Sequence, residues 1–391
     1  MLDFIDSELP KEGDTVVVGM SGGVDSTLVT MLLKEKGCKV IGVTMSLWDG
    51  RIPEGIDLDT LPASCYGPSE VTNIEECKKF CKEQNIDYYV VDVKQKYHDE
   101  ILEYFKYEYR NGRTPNPCIK CNWKIKFGAL LKGIEDLGIK YDYFCTGHYA
   151  KIVQPKNGIF GTDEKPYMIC AATDKAKDQT YFLYRVSSEV LKKVRFPLAS
   201  ITKQEVFEIA KKMNLSAANR QESQDFVPQE YFDMLFSDKP GIEGNIVDLD
   251  GKVLGRHKGI EHYTIGQRRG LGVAVSYPVY VHSIDPVKNI VVLSKNEDLN
   301  ADGLIADDFV WAGNIEPKEK ITAKVKIRLA SKSVNATIEK YIPQSDEEKF
   351  TGTAWKIIFD EPQRAIAPGQ SVVLYDNEII IGGGIINKTI R

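Results

Sequence analysis

Hydrophobic and polar positions follow two different grammars along this chain. From residue 14 to about 215, short β-branched runs alternate with segments whose apolar residues recur every three or four positions. Val16–Gly19, Lys39–Met45, Tyr88–Val93 and Tyr143–His148 read as strands. Ser26–Lys36 (closed by Gly37), His98–Tyr109, Lys126–Leu137 and Lys203–Met213 read as helices. Thr72-Asn73-Ile74-Glu75 has the spacing of a capping box and predicts a helix running to about Gln84. This alternation predicts an α/β domain with a parallel sheet covered by helices on both faces. Such sheets bind ligands beyond the carboxyl ends of their strands. Residues 48–70 are polar, proline-bearing and aperiodic, a loop long enough to have a function of its own.

After about residue 227 the pattern shortens. Asn245–Val253 contains Asp-Leu-Asp-Gly-Lys and Tyr277–Leu293 contains Asp285-Pro286, so both read as hairpins. Ala323–Leu329, Thr353–Phe359, Ser371–Tyr375 and Glu378–Ile381 follow as strand-like runs. The expected organisation is an α/β domain over 1–227, a small β-rich central domain over 228–295 and a C-terminal β-barrel over 296–391. Within the barrel, Ile321, Ala323, Val325, Ile327 and Leu329 share one face and Thr322, Lys324, Lys326 and Arg328 the other. A basic stripe of this kind is either a solvated strand face or a track for phosphates.

Composition narrows the classes. A net charge of −5 gives no global attraction to nucleic acid, so any such site is a local patch. The acidic N-terminus has no basic region ahead of an apolar stretch, and no apolar run approaches the ~20 residues needed to cross a bilayer. A soluble, cytoplasmic protein without membrane attachment is expected, as a monomer or weak dimer. All eight cysteines (38, 65, 77, 81, 118, 121, 145 and 170) fall in the first 170 residues. In such a chain they are expected to be buried, catalytic or metal-bound rather than a disulfide framework.

The densest chemistry follows the first strand. Gly19-Met20-Ser21-Gly22-Gly23-Val24-Asp25-Ser26 leads directly into a helix. Glycines there let the backbone approach a ligand closely, and the free N–H groups of the turn and helix start face an anion. Ser21 and Ser26 add hydroxyls, and Asp25 is a candidate Mg²⁺ ligand. No Gly-Lys-Ser/Thr follows, so this is not a Walker A loop. It resembles the PP-loop of ATP pyrophosphatases, which split ATP into AMP and pyrophosphate.

A second constellation reads Gly112-Arg-Thr-Pro-Asn-Pro-Cys118-Ile-Lys-Cys121-Asn-Trp-Lys-Ile-Lys-Phe-Gly128. Cysteines placed just before a helix starting near Lys124, beside Lys120, Lys124 and Lys126, are expected to have depressed pKa values suited to sulfur chemistry or metal binding. Half of a structural zinc site is the plain alternative. Its other half would be Cys77 and Cys81, but with Ile74 these fall at i, i+3, i+7 and read as helix core.

These two segments occur in order with four more strings. They are Thr146-Gly-His-Tyr-Ala150, Lys177-Asp-Gln-Thr-Tyr-Phe-Leu-Tyr184, Tyr263-Thr-Ile-Gly-Gln-Arg-Arg-Gly-Leu271 and Ala365-Ile-Ala-Pro-Gly-Gln370. Together they resemble the bacterial tRNA-specific 2-thiouridylases from about residue 14 to about 388. The resemblance implies ATP-dependent thiolation of the wobble uridine of tRNAs for lysine, glutamate and glutamine. The 2-carbonyl oxygen is adenylated, and a cysteine persulfide loaded by a sulfur-relay donor protein then displaces AMP. It implies Cys121 as the persulfide nucleophile, and Asn116, Pro117 and Cys118 against the target base. It implies Gly19–Ser26, Met45 and Gly147 on ATP, and His148, Lys177, Asp178, Gln179, Arg328, Leu329 and Gln370 on tRNA.

Two departures stand out. Many members have Asp where this chain has Cys118. The family's second, resolving cysteine normally lies in a loop that reads Gln221-Glu-Ser-Gln-Asp-Phe-Val-Pro228 here, without a cysteine. The implied substitutes are a Cys118–Cys121 disulfide on turnover, or an iron–sulfur cluster on Cys118, Cys121 and a third cysteine such as Cys65 or Cys145. Rival readings are another PP-loop ligase or amidotransferase, and a non-catalytic RNA-binding module.

Overall fold

The structure is a computed structural model that describes residues 2–52, 64–219, 226–227, 229–345 and 348–391. Residues 53–63 of the aperiodic loop, and the Gln221–Asp225 stretch where the resolving cysteine is missing, therefore lie outside the described residues. The chain divides into two compact units. One comprises Met1–Ile101, Cys118–Met234 and Glu378–Ile380; the other comprises Leu102–Pro117, Leu235–Asn377 and Ile381–Arg391.

The first unit is built on a five-stranded parallel sheet. Its order is Asp87–Asp92, Lys39–Ser46, Thr15–Gly19, Tyr143–Cys145, Val194–Arg195. Val16, Val17 and Val18 in the middle strand are fully buried, as expected for a strand covered on both faces. The chain first builds outward from Thr15–Gly19 to Lys39–Ser46 and Asp87–Asp92. It then returns to the opposite side of Thr15–Gly19 with Tyr143–Cys145. The strand order therefore reverses beside Gly19, which opens a crevice at the carboxyl ends of these two strands. A short antiparallel ribbon, Phe4–Asp6, Ala150–Pro155 and Met168–Ala171, completes the unit, with Ile379 paired to Cys170.

Helix Val24–Glu35 follows the central strand, and Gly37 closes it at φ +85°. The helix read from a capping box at Thr72 starts earlier, as Ser69–Glu83 behind Pro68, with no side-chain cap. Proline sets the entry there, so Thr72 lies inside the helix. The capping box belongs to Thr202 and Glu205, ahead of helix Lys203–Lys212. Cys77 and Cys81 are buried, as their spacing with Ile74 predicts.

The second unit holds two β-structures. The hairpins predicted around Asp248 and Asp285 form one four-stranded sheet ordered Val253–His257, Gly244–Val247, Ile290–Ser294, Tyr280–Asp285. Its core gathers Ile246, Ile260, Tyr263, Val281, Val291 and Leu293. A six-stranded antiparallel barrel follows, from Asn300–Trp311, Ile321–Lys326, Val334–Lys340, Trp355–Arg364, Ser371–Asp376 and Ile379–Ile390. The alternation at Ile321 places Ala323, Val325 and Ile327 inside and Thr322, Lys324 and Arg328 outside.

Candidate active site

The loop Met20–Ser26 fills the crevice where the strand order reverses. Met20 N donates to Val43 O at 2.8 Å and Thr44 Oγ1 donates to Met20 O at 2.9 Å, fixing the loop to the neighbouring strand. Gly22 takes φ +80°, a left-handed conformation that a side chain disfavours. Ser21 N donates to Ser26 Oγ at 3.2 Å, and Ser26 Oγ donates to Gly23 O at 3.2 Å, closing the loop on itself. Gly23 is the helix N-cap and supplies no side-chain acceptor. The first turn of a 12-residue helix thus points its N–H groups into the crevice without a cap, which suits a phosphate.

Gly147 closes one wall. A Cβ there would lie 2.8 Å from Asp25 Cβ and 3.1 Å from Ser26 N. Only glycine permits this approach, so Gly147 and the loop are one packed unit. Asp25, expected to hold Mg²⁺, accepts from Lys203 Nζ at 2.7 and 2.8 Å and from Tyr149 OH at 2.8 Å. An ammonium already balances this carboxylate. Among the described residues no three His, Cys, Asp or Glu side chains converge on a metal position. The described residues therefore assemble no ligand set for Mg²⁺ or an iron–sulfur cluster. Lys203 and Tyr149 were not legible as partners of Asp25, because 178 and 124 positions separate them from it.

The sulfur-bearing segment differs from its expectation. The helix begins at Pro117 rather than near Lys124, as Pro117–Lys120, a π-helical stretch Cys121–Ala129 and Leu130–Asp136. Pro117 takes the first helical position, where its missing N–H costs nothing. Cys118 and Cys121 lie in the opening turns, both half-buried, and π-helical turns gather at functional sites.

The expected depressed thiol pKa values are overturned. Burial pushes the Cys118 thiol up to about 11 and the Cys121 thiol up to about 12. Of the three expected lysines only Lys126 favours their thiolates. Lys120 lies 3.8 Å from Glu100, and Lys124 sits over the Trp123 ring at 3.8 Å. Cys65, which is exposed, opposes ionisation of both thiols.

The residues expected on tRNA divide by unit. In the first, His148 Nδ1 is 2.7 Å from Thr146 Oγ1, and its ring packs between Phe127 and Phe196. Burial, with Lys126 nearby, holds its pKa well below the usual histidine range, so it is neutral. Gln179 Oε1 accepts from Tyr149 N at 3.0 Å, and Asp178 accepts from Ala172 N and Thr180 Oγ1. Lys177 is exposed. In the second unit, Arg328 and Leu329 lie in an exposed turn after the basic strand. Gln370 Nε2 donates to Thr114 O at 3.2 Å and Pro115 O at 3.1 Å. Thr114 N donates to Pro368 O at 2.8 Å. Gln370 therefore fixes the backbone that leads into Asn116 and Pro117.

Family models match in the same order along the chain. They are the tRNA methyl transferase HUP domain over 14–228, the tRNA methyl transferase PRC-barrel domain over 233–295 and the aminomethyltransferase β-barrel domain over 301–386. The tRNA-specific 2-thiouridylase MnmA of Endomicrobium trichonymphae is 42% identical over 373 residues, 95% of this chain and 98% of that protein. The protein of the same name from Carboxydothermus hydrogenoformans is 40% identical over 380 residues, 95% of this chain and 97% of the relative. That of Halothermothrix orenii is 40% identical over 380 residues, 96% of this chain and 99% of the relative.

Proposed function

The chain belongs to the tRNA-specific 2-thiouridylase family, and from that premise we propose that it thiolates uridine in tRNA at the expense of ATP. The observation that carries this reading is the loop Ser21–Ser26, which presents an uncapped helix start in a crevice walled by Gly147. ATP lies with its phosphates on that loop and its base toward Met45, and any Mg²⁺ arrives with the nucleotide. The uridine O2 attacks the α-phosphorus, pyrophosphate leaves toward the N–H groups of the turn, and a poor leaving group becomes AMP. A persulfide on Cys121 then attacks C2 with its outer sulfur, and AMP departs.

Asn116, Pro117 and Cys118 flank the base once it has left its stack. Lys177 and Arg328 are exposed cations suited to phosphates. Neutral His148 contributes a hydrogen bond rather than charge. Asp178, Gln179 and Gln370 act as positioning residues, through the backbone contacts described above. After sulfur transfer a second thiol must cleave the bond to Cys121.

The test is thiolation of unmodified tRNA with ATP and a persulfide donor, read as 2-thiouridine by mass spectrometry. Cys121→Ser is expected to lose about 10³-fold or more. Undiminished thiolation by that variant overturns the role of Cys121. ATP–pyrophosphate exchange that needs no tRNA overturns the substrate.

A further inference from the structure

Five of the eight cysteines are buried; the three that reach solvent are Cys65, Cys118 and Cys121. All three lie within electrostatic reach of one side chain. Tyr97 is fully buried, and Cys121, Cys65 and Cys118 all act on its hydroxyl electrostatically. The helix ending in Tyr97 packs against the π-helical turn that starts at Cys121. Tyr66 stacks on Tyr97 with centroids 5.6 Å apart and planes 7° apart.

Cys65 is held outward by its neighbours. Ser64 and Tyr66 on either side are 5% and 0% exposed. Ser64 Oγ donates to Tyr66 O at 3.0 Å, and Tyr66 N donates to Phe226 O at 3.1 Å. Gly67 at φ +154° lets the chain turn there. The turn that presents Cys65 is thus tied to Phe226, in the stretch from Gln221 to Pro228 that has no cysteine of its own.

We propose that Cys65 is a third reacting thiol of this site, which attacks Cys121 Sγ after sulfur delivery and closes a Cys65–Cys121 disulfide. This rests on the persulfide reading above. The Cys65 thiolate forms a bond to Cys121 Sγ. The bond between that Sγ and the sulfur on uridine C2 breaks, and its electron pair leaves with the nucleoside as the thiocarbonyl. The two cysteines are oxidised to the disulfide, and the zero-valent sulfur is reduced to the sulfide level. A dithiol reductant reopens the disulfide, and a persulfide donor reloads Cys121. Cys118 is half-buried in the opening helical turn, whereas Cys65 is exposed in a turn tied to the Gln221–Pro228 stretch.

The experiment is a single turnover of persulfide-loaded full-length protein with ATP and unmodified tRNA, without added thiol. Non-reducing peptide mapping of the wild type is expected to show Cys65–Cys121 in yield matching the 2-thiouridine formed. Cys65→Ser is expected to release at least tenfold less free product. It should instead accumulate a protein–tRNA adduct that dithiothreitol converts to thiolated tRNA. Unchanged melting shows that the variant is folded. Free product at the wild-type rate from Cys65→Ser, a Cys118–Cys121 disulfide, or iron bound stoichiometrically by the three thiols overturns the proposal. Cys121→Ser separates the two readings. If it still yields product, the persulfide reading itself fails; if it yields neither product nor adduct, that reading stands and the Cys65 arm judges the resolving step.

Discussion

At the scale of single residues, the thiols are set by burial more than by neighbouring charge. Desolvation outweighs the attraction of Lys126, so Cys118 and Cys121 remain protonated at neutral pH. A buried thiol with a raised pKa gains reactivity as pH rises toward that value. Iodoacetamide labelling, resolved by peptide mass spectrometry, should rise about tenfold per pH unit past 9 for both, levelling near 11 for Cys118 and 12 for Cys121. Lys126→Gln removes the one cation favouring these thiolates and should slow Cys121 labelling roughly fivefold at fixed pH, less than one pKa unit. A plateau near pH 8.5 would show that the thiols are not desolvated.

Among the elements, the decisive junction is the start of helix Lys203–Lys212 against the phosphate loop. Lys203 is 9% exposed and Asp25 28%, between the limits for surface and buried pairs. Lys203→Met should leave Asp25 without its counter-charge and lower stability by about 2 kcal/mol. Denaturant unfolding measures this; a loss below ~0.5 kcal/mol would place the pair among the inert surface bridges. The loop Ser21–Ser26 was legible because strand, glycine turn and helix start are contiguous. Its lock on Lys203 was not, since nothing local links such distant positions. A Thr-x-x-Glu string occurs at both Thr72 and Thr202, and only the second lies where the chain enters a helix. The barrel strand Asn300–Trp311 escapes a period-two reading for a related reason. Asp307 is buried inside it, accepting from Thr351 N and Asn387 Nδ2, and Asp308 sits at φ +44°.

For the whole molecule, the titrating groups define a stability window. His148, His257 and His282 all have pKa values lowered by burial. The unfolded chain therefore binds more protons than the native one below pH 6.5, and stability falls as pH drops, by up to ~1.4 kcal/mol per unit for each group. On the alkaline side, seven cysteines have raised values. Their contribution is intact below about 9 and is lost as pH rises toward the folded values. Melting temperature should be flat between these limits and decline on both sides. His148→Gln should shallow the acid limb alone, and an unchanged limb would mean that His148 is solvated. No helix among the described residues is long and apolar enough to cross a membrane.

The pairing of Ile379 with Cys170, backed by the bond from Ala171 N to Glu378 O at 2.9 Å, also matters during synthesis. The edge strand Met168–Ala171 leaves the ribosome some two hundred residues before the segment that covers it. Until then its unpaired amides are open to a neighbouring nascent chain. Translation that stalls inside the barrel coding region would release a nucleotide-binding half with an adhesive border, so the short segment at Glu378 and Ile379 doubles as its protective hem.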